Sequence, residues 1–100
     1  MKKGLIRYKV KANKVSENEQ LVKDVYKQLH EKKIEGVRYT TFKLEDGVTF
    51  VHIYFHESEQ ASKEFSSLPA FKKFQENIND RCDEYPLSSS ASIIGSYNLV

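Results

Sequence analysis

The chain has 100 residues, 39% hydrophobic and 30% charged, with 16 basic against 14 acidic side chains and a formal net charge of +2. That length suits one domain with its own core, and the small basic excess excludes the stripe of charge that nucleic-acid surfaces show. A lone cysteine, Cys82, rules out an intrachain disulfide and a Cys/His metal cluster, and no apolar run has the length of a signal peptide or a membrane span. The expectation is a single soluble, cytoplasmic domain over residues 1–100.

The first element is residues 5–12, "LIRYKVKA", where Ile6, Tyr8 and Val10 alternate with Arg7, Lys9 and Lys11, the period of a strand with one apolar face. In "SENEQLVKDVYKQLHEKK", Ser16 and Glu19 have the spacing of a capping box. Leu21, Val22, Val25 and Leu29 follow at helical spacing, which predicts an amphipathic helix. Gly36 suits the turn after it. "GVRYTTFKL" and "VTFVHIYFH" flank Asp46-Gly47, a strong hairpin signal, so strands are expected over roughly 37–44 and 48–56. "ESEQASKEF" predicts a short helix. Pro69 opens a second long helix, with Phe71, Phe74, Ile78 and Cys82 on one face. "EYPLSSSAS" reads as a polar loop and "SIIGSYNL" as the last strand.

The order β-α-β-β-α-β predicts an α+β, ferredoxin-like sandwich: a four-stranded antiparallel sheet, strands one and three central, with helices on one face. "VTFVHIYFH" is apolar on both faces, as a mid-sheet strand should be. Helices cover one sheet face only, so the other face calls for a second copy of the chain, a homodimer packed sheet against sheet.

Two histidines on that strand, His52 and His56, invite a metal reading. Four residues of strand span about 13 Å, too far for both to reach one ion, so no metal site is expected. His52, between Phe50 and Tyr54, is either a core histidine satisfied by one hydrogen bond or a pocket acid/base. His56, beside Glu57 and Glu59, reads as a strand end with a solvated or hydrogen-bonded surface role. His30, late in the first helix, reads as a solvent-facing partner of the helix C-terminus. Tyr8, Tyr39, Tyr54 and Tyr97 all fall on predicted strands; they suit a core or a pocket for a planar ligand. Arg7, Lys9 and Arg38 need partners if a dimer closes over them, either inter-subunit carboxylates or an anionic ligand. Cys82 reads as a small buried hydrophobe.

"LEDGVTFVHIYFHESE", "LPAFKKFQENINDRCDE" and "GSYNL" together resemble the dimeric α+β barrel superfamily, in particular the small antibiotic-biosynthesis-monooxygenase-like domains. Within it, "RYKVK", "DGVTFVH", "LPAFKKFQ" and "GSY" are similar to an uncharacterised bacterial subgroup. The resemblance covers nearly the whole chain. It implies a homodimeric barrel with a pocket between sheet and helices in each protomer. It also implies a cofactor-independent monooxygenase or related enzyme for a small aromatic or quinone-like substrate, with haem left open. In that reading His52 is the catalytic residue, with Tyr39 or Tyr97 sharing the proton handling. Tyr39, Tyr54, Tyr97 and Arg38 are the ligand-binding candidates. The chain has no tryptophan, so the catalytic set of the better-known enzymes does not carry over. The alternative is a non-catalytic homodimeric module that binds a small molecule or a partner.

Overall fold

A computed structural model describes residues 1–99. Strand β1 (Lys2–Val10) leads through a 3-10 turn (Ala12–Lys14) into helix α1 (Val15–Lys32). Strands β2 (Val37–Lys43) and β3 (Thr49–His56) form the hairpin. Helices α2 (Glu59–Ser66), α3 (Pro69–Gln75) and α4 (Ile78–Arg81) precede strand β4 (Cys82–Ser90). All pairings are antiparallel, in the order β2-β3-β1-β4. This is the expected ferredoxin-like α+β sandwich, with β1 and β3 central and the helices on one face. Among the described residues no helix is long and apolar enough to cross a membrane.

The hairpin forms where Asp46-Gly47 predicts it. Gly47 takes a φ of 77°, a conformation that glycine adopts without strain. The Asp46 carboxylate accepts bonds from the backbone N–H groups of Val48 and Thr49 and from the Thr49 hydroxyl. Those bonds hold its pKa down at about 2.

Four local expectations change. The capping box does not form: the 3-10 turn runs straight into α1, the N-cap is Lys14, and no side chain caps it. Ser16 thereby falls inside the first turn, and Glu19 instead pairs with Lys43. Gly36 does take a left-handed φ of 77° in the turn after α1, while Lys33 holds the left-handed position that ends the helix itself. The second long helix breaks at Asn77, whose φ of 55° is left-handed, a conformation that asparagine tolerates better than most residues. Arg81 then turns back on the end of α3, donating to the Phe74 and Glu76 carbonyls. Cys82, expected on the helix, begins the strand and is buried opposite Val10.

The fourth change is the last strand, which is residues 82–90 rather than 92–99. "CDEYPLSSS" looks like a loop because it is polar and holds Pro86. An edge strand tolerates proline at a bulge, and Tyr85 and Pro86 both stand across from Tyr8, between the pairs Arg7–Leu87 and Lys9–Glu84. Residues 91–99 carry no regular strand or helix.

The core lies between the sheet and the helices. Tyr8 and Val10 of β1, Phe50 of β3, Val22 and Val25 of α1, Phe65 of α2, Leu68 just before α3 and Phe74 of α3 are all buried. Gly4 is the tight point of the central strand. A Cβ there would meet the Ser89 carbonyl oxygen at 2.5 Å and the Tyr54 hydroxyl at 2.5 Å. Backbone cannot yield as a side chain does, so Gly4→Ala is expected to cost about 2 kcal/mol, within the range for overpacking. Urea denaturation of the variant measures it.

No helix covers the opposite face of the sheet, which Leu99 of the C-terminal segment meets near Arg38 and Phe42. Leu5, Phe42, Val51, Ile53, Phe55 and Leu87 share it by register, and Leu5, Phe42 and Leu87 are exposed.

Candidate functional site

Two features on the helix side of the sheet combine polar chemistry with burial: a hydrogen-bonded network centred on His52, and a cavity walled by Tyr39, Tyr54 and His56.

His52 is 1% exposed. Its direction of hydrogen bonding is set from the far end of the network. The Arg81 Nε–H can only donate, and Asn18 Oδ1 lies 3.4 Å away, which turns the Asn18 amide nitrogen toward the Tyr8 oxygen at 2.9 Å. Tyr8 Oη accepts from Asn18, so its own hydrogen points at His52 Nε2, 2.8 Å away. Nε2 accepts; in a neutral ring Nδ1 then carries the proton. It is shared between Thr41 Oγ1 at 2.7 Å and Tyr39 Oη at 2.9 Å. Thr41 is bonded in turn to the Tyr26 hydroxyl at 2.7 Å. Burial pushes the His52 pKa down to about 4, and it raises those of Tyr8, Tyr39 and Tyr26. Near neutrality the whole network is uncharged up to Arg81. Its rings stack across the strands: Tyr39 on His52 at 5.5 Å, His52 on Tyr8 at 5.3 Å, Tyr8 on Phe50 at 5.6 Å.

The cavity has a volume of about 280 Å³ and lies between the sheet and helices α2 and α3. Tyr39, Tyr54, His56, Phe65 and Phe71 supply rings to its wall, and Lys2 stands at it too. A larger depression of about 560 Å³ follows Lys32–Glu35 and α2; Ile34, Ala61 and Leu68 line it among charged and polar side chains, and no ring does. The sheet–helix cavity therefore has the lining expected of a small-molecule site. A cavity of about 150 Å³ takes one benzene, so this one holds a single ring with substituents.

The structure brings Tyr39 and Tyr54 together in the cavity wall. His52 does not line it; Tyr39 is the link, its ring in the wall and its hydroxyl on His52 Nδ1. Arg38 lies on the opposite face of the sheet, where Nη1 donates to the Leu99 carbonyl at 3.5 Å beside Phe42, Ile53 and Phe55. Tyr97 is on no strand and is 88% exposed. Neither belongs to this cavity.

His56 was the residue that sequence reasoning passed over. It is hydrogen-bonded, as one of the two expected roles had it, but it is not at the surface: it is 7% exposed. Helix α2 covers it, with Ser62 Oγ 2.8 Å from Nδ1 and the Phe65 ring 5.3 Å from its own. Its Nε2 has no partner, alone in that respect among the buried side-chain nitrogen and oxygen atoms of the described residues. Burial, and secondarily the charge of Lys2, lower its pKa. The signal was present in the alternation itself, since His56 shares a face with Phe50 and Tyr54.

His30 is exposed on α1 and does not border the cavity. Among the described residues no group of three His, Cys, Asp or Glu side chains could hold a metal ion.

No protein-family model and no curated protein matches the chain. Solved structures do. An antibiotic biosynthesis monooxygenase superposes with a TM-score of 0.77 over 95% of this chain and 100% of its own, at 13% identity. The chain has the fold of the antibiotic biosynthesis monooxygenases. A candidate member from Nitrosomonas europaea matches with a TM-score of 0.77 over 93% of this chain and 89% of its own, at 12% identity. Another from Bacteroides thetaiotaomicron gives 0.77 over the same shares, at 19% identity.

Proposed function

We propose that the protein is a cytoplasmic homodimer that takes a small aromatic or quinone-like molecule into the sheet–helix cavity and acts on it without a bound cofactor, as a monooxygenase or related enzyme. The single observation that carries this reading is the ring-lined cavity of about 280 Å³, with Tyr39 joining it to the His52 network. Likeness in fold to the monooxygenases supports the reaction class, although fold by itself does not fix function. His52 acts here through Tyr39, as a positioning residue: its fixed tautomer presents an N–H to the Tyr39 oxygen and so orients that hydroxyl.

The test is binding followed by oxygen uptake. Hydroquinone and planar aromatics are expected to raise the melting temperature, since a ligand of the folded state stabilises it. Ser66→Phe, which puts a ring into the cavity, should abolish the shift without altering the circular dichroism spectrum. Oxygen consumption with a bound ligand, lost in Tyr39→Phe, would establish the enzyme. Binding without turnover would favour the second reading, a non-catalytic binding module. That reading draws support from His52, whose two nitrogens are already satisfied inside the protein.

The homodimer rests on the sheet face that no helix covers, whose six apolar side chains need cover of the kind a second sheet provides. Light scattering at micromolar concentration is expected to give twice the chain mass, and Phe42→Glu the mass of one chain. A wild-type monomer would reject the dimer.

A further inference from the structure

We infer that the Tyr54 hydroxyl is the specificity group of the sheet–helix cavity, and that the ligand it selects is an aromatic ring bearing a carbonyl oxygen. This rests on the reading that the cavity takes an aromatic molecule. It adds the group that molecule carries and the residue that holds it.

A buried tyrosine usually finds a hydrogen-bond partner for its hydroxyl. Between the sheet and the helices, the hydroxyls of Tyr8, Tyr26 and Tyr39 all do so within the protein. Tyr54 is the exception. Its side chain is packed, at 9% exposure, yet its hydroxyl bonds to none of the described residues. Nor is that hydroxyl sealed off. Among the described residues His56 Nε2 is the one unpartnered side-chain nitrogen or oxygen that solvent cannot reach, so Tyr54 Oη, equally unpartnered, is open.

Register places the opening. Tyr54 pairs with Gly4 of β1, and its side chain crosses the bare glycine: a Cβ there would meet Oη at 2.5 Å and Cζ at 2.8 Å. Lys2 and Ile6 stand on either side of Gly4 on the same strand face, and both line the cavity. So do Tyr54 itself and Ser88, the β4 partner of Ile6. The hydroxyl thus lies in the stretch of wall between Lys2 and Ile6. Glycine in a strand marks a close approach of this kind, and here it makes room for the tyrosine.

The rest of the lining sets the polarity of the ligand. Tyr39, Phe65 and Phe71 supply rings, and no carboxylate lines the cavity. Lys2 can only donate, and Ser66 spends its hydrogen on the Ser62 carbonyl. An oxygen that only accepts, as a carbonyl does, matches this set. A phenol would bring a hydrogen with no carboxylate to receive it.

Acetophenone, an unreactive ketone with one ring, is the probe. Its isostere α-methylstyrene has a methylene in place of the carbonyl oxygen. Wild-type protein is expected to bind acetophenone the more tightly. Tyr54→Phe, which removes only the hydroxyl, should weaken acetophenone about fivefold, the net worth of one neutral hydrogen bond, and leave α-methylstyrene within about twofold. Isotope-edited infrared spectra supply a readout that a merely structural role would not move. The carbonyl stretch of bound acetophenone should lie below its value in hexane and return toward it in Tyr54→Phe. The alcohol of the same skeleton, α-methylbenzyl alcohol, should bind more weakly than acetophenone.

If Tyr54→Phe affects the two probes alike, or leaves the lowered stretch in place, the inference is refuted while the aromatic cavity stands. Equal binding of the alcohol would overturn the choice of a carbonyl. If none of the three compounds binds, both readings fall. The wild-type spectrum keeps the inference open to refutation even if the variant does not fold, since a stretch equal to that in hexane refutes it.

Discussion

Exchanging Arg81 for methionine is expected to lower the unfolding free energy by about 3 kcal/mol. Arg81 is 4% exposed and has no carboxylate partner among the described residues. Its charge is instead surrounded by oxygen dipoles: the Phe74 carbonyl at 2.6 Å, the Glu76 carbonyl at 2.9 Å and Asn18 Oδ1 at 3.4 Å. The guanidinium also lies 5.5 Å from the centre of the Phe74 ring. Methionine fills the space but leaves three acceptors unpaired, at about 1–3 kcal/mol each. Releasing a buried charge offsets part of that loss, which sets the net near 3 rather than above it. Arg81→Lys should recover less than half, because an ammonium cannot match the planar fork. Urea denaturation measures both. A drop below about 0.5 kcal/mol, the range of ordinary surface substitutions, would show that the carbonyls find other donors.

Acid should destabilise the protein well before its carboxylates titrate, and His52 is the reason. Its folded-state pKa, about 4, lies below the ordinary 6.5. As pH falls, the unfolded chain takes up the proton first. Stability is therefore complete above about pH 6.5 and declines until the folded ring also protonates near pH 4, a loss of about 3 kcal/mol. His56, shifted the same way, adds to the loss. Asp46 and Glu19, whose pKa values are lowered by their hydrogen bonds, contribute only in more acid solution. His52→Gln should be less stable at about pH 7 yet lose less between there and about pH 4.5. Equal losses in the two proteins would remove His52 from the account.

The element order was legible because its signals are local. Asp46-Gly47 sets the hairpin, the stripe from Leu21 to Leu29 sets α1, and alternation sets β1 and β3. The last strand was not legible. Cys82–Ser90 holds its place through backbone bonds to β1 and needs little from its side chains, whereas "SIIGSYNL" has the composition of a strand but pairs with none. The break at Asn77 escaped notice because its cause, Arg81 reaching back to the α3 carbonyls, is tertiary. The site was half legible. Tyr39 and Tyr54 follow from a strand face; Arg38 alternates away from it, and Tyr97 depended on the misplaced strand. Ranking His52 above His56 assumed that strand ends are wet. Here α2 folds over the end of β3 and seals it.

The irregular pairing of β4 has a consequence for how copies of this chain meet. A straight edge strand exposes a row of N–H and C=O groups that can template endless pairing with other chains. At this edge Pro86 lacks an N–H, and the ladder slips twice, across Tyr8 and again between Lys9 and Val10. Such bulges twist the backbone and interrupt the row. Open-ended growth along the hydrogen-bonding direction is blocked there. The homodimer proposed above uses the apolar sheet face instead, where two copies would close on each other and the assembly would stop.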